Sequence, residues 1–154
     1  MVAPFDDILD FTGSPDDVVK TNEPFRETTG QAAEATGVTA NPTTNSSNFS
    51  VLAEMSVTLT LAGGNVFASF AGTFDLTVAP GTAVLRIMRD SSVQVGPEMR
   101  ERLSATGEDH FIAFSGLDIS PPIGEHTYTV EWRVTAGTLR NPGTRRQLQV
   151  QELA

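Results

Sequence analysis

From residue 50 onward, apolar and polar residues alternate with a period of two. Met55, Val57, Leu59 and Leu61 are interleaved with Ser56, Thr58 and Thr60, which predicts a strand with one face on a core and the other in water. Gly63-Gly64-Asn65 predicts a turn into NVFASFAGTFDLTV. There Val66, Ala68 and Phe70 oppose Phe67 and Ser69, with a register shift expected near Gly72 before Phe74, Leu76 and Val78. Pro80-Gly81 marks a turn, residues 83–89 a strand, and 93–95 a brief pairing that ends at Gly96-Pro97. Residues 98–103 are ambiguous. Glu98 and Arg102 suit a helical pair, whereas Met99, Glu101 and Leu103 suit a strand, which the β surroundings favour. Residues 110–117 predict a strand and Pro121-Pro122-Ile123-Gly124 a turn.

The clearest alternation follows. Tyr128, Val130, Trp132 and Val134 share one face, while Thr127, Thr129, Glu131 and Arg133 share the other. In the closing segment Leu148 and Val150 oppose Gln147, Gln149 and Gln151. Short strands broken at regular turns specify an all-β fold, an antiparallel β-sandwich or jelly roll of seven to eight strands over residues 51–154.

Residues 1–50 follow a different pattern. Phe5, Ile8, Leu9 and Phe11 stand among Asp6, Asp7 and Asp10, and Ser14-Pro15-Asp16-Asp17 predicts a short helical turn near 15–20. Residues 28–50 are small and polar, with Glu34 their only charge. Such a stretch buries too little apolar surface to offset its ordering entropy, so 1–50 reads as an extended N-terminal arm. Phe5, Phe11, Phe25 and Phe49 are spaced along it. Two arrangements suit these rings: pockets on a neighbouring surface, or the chain's own domain.

Charge reinforces the division. The chain of 154 residues has a formal net charge of -9; residues 1–54 hold nine acids and two bases, the remainder ten acids and eight bases. This balance repels phosphates and anionic lipid, so no nucleic-acid or membrane partner is expected. There is no cysteine, which excludes disulfides, thiol catalysis and cysteine-ligated zinc. MVAPFDDILDF carries acids where a secretory leader would carry bases, so no export is expected and the sequons at Asn45 and Asn48 read as chance.

Catalytic chemistry finds little support. A hydrolase would pair His110 with Asp109 or Glu108 and recruit Ser115, yet neighbouring strand residues point to opposite faces, which separates Asp109 from His110. Nucleophile elbows, phosphate loops and zinc motifs are missing from the sequence. Asp6, Asp7 and Asp10 lack the glycine turn of a calcium loop. No catalytic residue, metal or cofactor is therefore expected, and His110 and His126 read as structural. Tyr128 and Trp132 read as core; Arg145 and Arg146 read as bordering a strand edge or meeting acids of a neighbouring subunit.

The C-terminal segment carries a resemblance. His126, Thr127, Tyr128, Trp132, Arg133 and Val134, then Gly137 and Thr138, then Arg146, Leu148, Val150, Glu152 and Leu153 resemble the closing strands of jelly-roll virion proteins of tailed bacteriophages. Those domains are similar to the trimeric sandwiches of the complement and tumour-necrosis-factor type. Over residues 50–154 the resemblance implies a homotrimeric capsid decoration (cement) protein, made in the host cytoplasm and carried on the capsid surface. The arm would bind the major capsid protein through Phe5, Asp6, Asp7, Phe11, Phe25 and Arg26. A fibre or spike tip that binds a host receptor or glycan is the alternative; residues 1–50 hold no heptads for a shaft.

Overall fold

The computed structural model describes residues 30–153. Ten strands run in chain order: β1 (Ala32–Thr36), β2 (Thr43–Thr44), β3 (Ser50–Leu61), β4 (Asn65–Val78), β5 (Gly81–Arg89), β6 (Val93–Leu103), β7 (His110–Asp118), β8 (Gly124–Val134), β9 (Thr138–Arg140) and β10 (Arg146–Leu153). All the pairings between these strands are antiparallel. One layer runs β1-β10-β4-β7, with β9 and β2 continuing beside the far end of β4; the other runs β3-β8-β5-β6. Apart from the β5–β6 hairpin, successive long strands cross between layers. That crossing pattern is a jelly roll of eight main strands.

The alternation explains the core. Leu85, Ile87, Tyr128, Val130 and Trp132 from one layer meet Phe70, Phe74, Ile112 and Leu148 from the other, all buried. Trp132 packs its ring 6.1 Å from Phe74, and Phe70 lies 5.6 Å from Phe114. Each large side chain so buried contributes about 1.5–3 kcal/mol. Tyr128 and Trp132 are core residues, as their strand face implied.

Three features depart from the sequence pattern. The sheet begins before residue 51: Ala32–Thr36 pairs with β10 from Ala32↔Gln151 to Thr36↔Gln147, and Thr43–Thr44 pairs with β9. Its small residues supply backbone hydrogen bonds to an edge that already exists, a gain absent from the isolated segment. Gly96-Pro97 does not end a strand. It lies inside continuous β6 as a bulge, between the pairs Leu85↔Met99 and Ile87↔Val95. The inward alternation of β4 also passes unbroken through Gly72, wedged between the Phe70 and Phe74 rings. Its irregularity comes later, between Leu76 and Val78 against β9. Residues 98–103 are strand.

Candidate interaction surfaces

Two faces of the sandwich differ in chemistry. On the outer face of the first layer, residues align in rows: Leu117–Phe67–Gln151–Ala32, Ser115–Ser69–Gln149–Glu34 and Ala113–Ala71–Gln147–Thr36. Thr73 pairs with Phe111 in the next row. Glu34 is the one charge in these three rows, and it accepts a 3.1 Å hydrogen bond from Gln147 Nε2. Phe111 is 73% exposed, Leu117 46% and Phe67 41%. A shallow groove of about 400 Å³ runs between β7, β4 and β10, lined by Phe67, Ala71, Ala113 and Phe114 among others. Aromatic enrichment with charge depletion is the composition of a protein–protein interface centre.

The outer face of the second layer is charged. Arg86, Arg100, Arg102 and Arg133 lie there with Glu98 and Glu131, in the registers Arg86↔Glu131, Val84↔Arg100 and Thr82↔Arg102. Arg86 donates to Glu131 at 2.8 Å. Phe49 lies on this face, with the Arg86 guanidinium 3.8 Å and that of Arg133 4.8 Å from its ring centre. Of the two arrangements open to Phe49, the structure selects the chain's own domain. Phe5, Asp6, Asp7, Phe11, Phe25 and Arg26, the predicted partner contacts, lie outside the described residues, as does the helical turn near 15–20.

The candidate catalytic groups do not converge. His110 Nδ1 lies 3.4 Å from Glu101 and Nε2 3.8 Å from Glu108, while Asp109 turns away to Arg145 at 3.0 Å. Ser115 lines the groove on the opposite layer face. His110 thus stands beside two carboxylates, apart from both Asp109 and Ser115. Among the described residues, no group of three potential ligands is placed to hold a metal ion.

Buried ionic groups instead lock the frame. Arg146 corrects its sequence reading: its guanidinium is wholly buried and is held by Glu54 at 2.7 Å, Asn141 at 2.7 Å and the carbonyls of Ala53 and Thr39 at 3.1 Å, all in the same chain. Glu54 stands in the β3 bulge at φ 67°. Its carboxylate accepts from the Thr39 hydroxyl and from the amides of Val38 and Thr39. The hydroxyl bond foremost, then the Val38 amide, holds its pKa down at about 2 despite desolvation. Glu152 accepts three amides, Ala62, Gly63 and Gly64, at 2.8–2.9 Å, and the Gly64 bond foremost lowers its pKa. Sequence reading missed both carboxylates, although Glu54, a lone charge in the apolar and small stretch VLAEMSV, is a signal worth following.

A third network lies at the end of the sandwich where β7 passes into β8. Asp118 accepts from Arg89 Nη1 at 2.6 Å and from the Tyr128 hydroxyl at 2.9 Å. Burial first, then this bond to Asp118, pushes the Tyr128 phenol above its ordinary range. His126 places Nδ1 2.6 Å from Asp90 and Nε2 2.9 Å from the Pro122 carbonyl. Desolvation would raise the Asp90 pKa; the Thr127 amide and His126 outweigh it and lower it.

No family model matches the chain and no curated protein sequence matches it. Solved structures do. An Eiger tumour necrosis factor from S. frugiperda aligns at 15% identity over 81% of this chain and 93% of its own, with a TM-score of 0.42. A chain of infectious bursal disease virus, Gx strain, aligns at 12% identity over 80% of this chain, with a TM-score of 0.48; this chain spans about a third of it, 33%. The enzymatically active domain of tailspike protein 4 from Bacteriophage CBA120 aligns at 11% identity over 77% of this chain and 19% of its own, with a TM-score of 0.27.

Proposed function

We propose that this chain is a non-catalytic structural protein of a virion: a capsid decoration (cement) protein that forms a homotrimer on the outer shell of a tailed phage. The observation that carries the reading is the charge-poor outer face of the β7-β4-β10-β1 layer, whose three aligned rows hold Glu34 as their one charge. Contact between copies through the opposite face would have to desolvate Arg86, Arg100, Arg102, Arg133, Glu98 and Glu131. This face carries little of that cost, and Phe67, Phe111 and Leu117 supply the apolar area. The resemblance of the closing strands to phage jelly-roll proteins supports the virion setting.

In this reading residues 1–29 extend the contact over the major capsid protein, with Phe5, Phe11 and Phe25 as anchors beside Asp6, Asp7 and Arg26. Three such segments on one trimer bind with an avidity that one lacks. Because the protein binds only the assembled lattice, it stabilises the shell by mass action.

The test mixes full-length protein, and protein lacking residues 1–29, with empty capsids of the virus that encodes it. Full-length protein should co-sediment with the shells and raise their disassembly temperature; the truncated form should bind at least ten-fold more weakly. Binding that ignores the truncation would remove the arm from the proposal, and no binding by either form would defeat the cement reading. A fibre or spike tip that takes a host receptor or glycan is the competing assignment, which capsid binding would exclude.

A further inference from the structure

The β7–β8 connection exposes two large apolar side chains, Ile119 at 71% and Ile123 at 77%. Isolated exposed hydrophobics are ordinary on a protein surface. This pair is set apart by how firmly its backbone is held. Asp118, at the start of the turn, is fixed by Arg89 and Tyr128. The Ser120 amide donates to Asn65 Oδ1 at 3.0 Å, with Ser120 itself at φ 51°, a left-handed conformation that a non-glycine residue keeps only when its surroundings impose it. His126, braced by Asp90, holds the Pro122 carbonyl. Pro121 is buried, and two consecutive prolines fix two φ angles. Ile123 rests against Gly63, where an added Cβ would stand 3.3 Å from its Cγ1. A loop anchored at four points that still turns its isoleucines to water is preorganised for a contact, because little conformational entropy remains to be lost on binding.

Charge identifies what it contacts. The same end of the sandwich presents Glu125 and, beside His126, Asp90 at its surface, with the buried carboxylates of Asp118 and Glu152 behind them against Arg89, which Asp118 already engages. Gly30 lies there too, against Glu152. A second copy of this end would be repelled, and so would an anionic surface. The complementary partner is a protein surface with an apolar hollow rimmed by lysine and arginine.

We infer that Ile119 and Ile123 form the shell-facing tip of the domain, seated in a basic-rimmed apolar hollow of the capsid lattice. This rests on the cement reading and adds to it a second anchor, independent of residues 1–29. Cyclic symmetry would present three tips at one level along the axis of a trimer.

The experiment measures binding of full-length wild type, the double variant Ile119→Ser/Ile123→Ser, and Glu125→Gln to empty capsids of the encoding virus, at about 50 mM and 300 mM salt. Circular dichroism melting and solution mass serve as controls for fold and assembly. The isoleucine variant should melt within a few degrees of wild type, keep its mass and bind at least ten-fold more weakly at both salts. Glu125→Gln should weaken binding two- to five-fold at low salt and converge with wild type at high salt, as screening removes the charge contribution. Wild-type affinity in the isoleucine variant overturns the tip while leaving the cement reading intact. Absence of wild-type binding overturns both. Should the variant melt early, Ile119→Lys and Ile123→Lys made singly replace it; each adds charge at the exposed tip, and undiminished binding by both overturns the inference.

Discussion

Glu54 shows how one residue ties the early strands to the sandwich. Its carboxylate caps the amides of Val38 and Thr39 while pairing with buried Arg146, which itself holds Asn141 and two carbonyls. Because its folded pKa is lowered from 4.5 to about 2, its contribution is fully present above about pH 4.5 and is lost as pH falls toward 2. Glu54→Gln is therefore expected to lower the urea midpoint at pH 7. The gap to wild type should narrow through the window from pH 4.5 to 2, until the two unfold alike. A gap independent of pH would show that packing, and not ionisation, accounts for the loss. Asp90 and Glu152, also lowered, add acid sensitivity of the same sign.

Among the elements, the join between β6 and β7 sets how closely the two layers approach. A Cβ on Gly116 would stand 2.4 Å from the Val95 carbonyl oxygen and 2.7 Å from the Gly96 amide nitrogen. These are backbone atoms, which cannot rotate away. Gly116→Ala must part the strands and should destabilise by about 1–3 kcal/mol, the usual range for overpacking, measured by chemical denaturation. Gly107→Ala, where nothing lies within 4 Å of the added Cβ but φ is 73°, separates backbone strain from steric contact. A Gly116→Ala variant as stable as wild type would mean that the close approach does not matter. The bulge at Gly96-Pro97 belongs to the same feature: it bends β6 where the sheets meet.

For the whole molecule, the charge-poor face and the acidic end are proposed to serve different contacts in different directions. Phe67→Glu/Phe111→Glu places two new charges per copy on the face proposed to self-associate. The expected result is a fall in sedimentation mass from three chains to one at unchanged β-sheet circular dichroism. A variant that stays trimeric would move the interface elsewhere. One that unfolds is checked by Phe111→Ser alone, since Phe111 is largely exposed and its loss leaves the core intact.

Strand identity in the body was legible from residue order because a period of two is a local property. Tyr128, Val130, Trp132 and Val134 on one face could be read as core without any knowledge of what they touch. Ala32–Thr36 could not be read as a strand, because its pairing comes from β10, more than a hundred residues later. The isolation of Arg146 from solvent, the Glu54 and Glu152 cages and the seat of Phe49 on Arg86 and Arg133 depend likewise on distant contacts. The sequence by itself determined an all-β sandwich with an acidic leading segment, since alternation, turn residues and charge asymmetry act over a few neighbours. Only the tertiary structure decided which face is poor in charge, which acids are caged and which isoleucines stand on a braced turn in water. Those properties are set by the register and layer order that bring remote residues together.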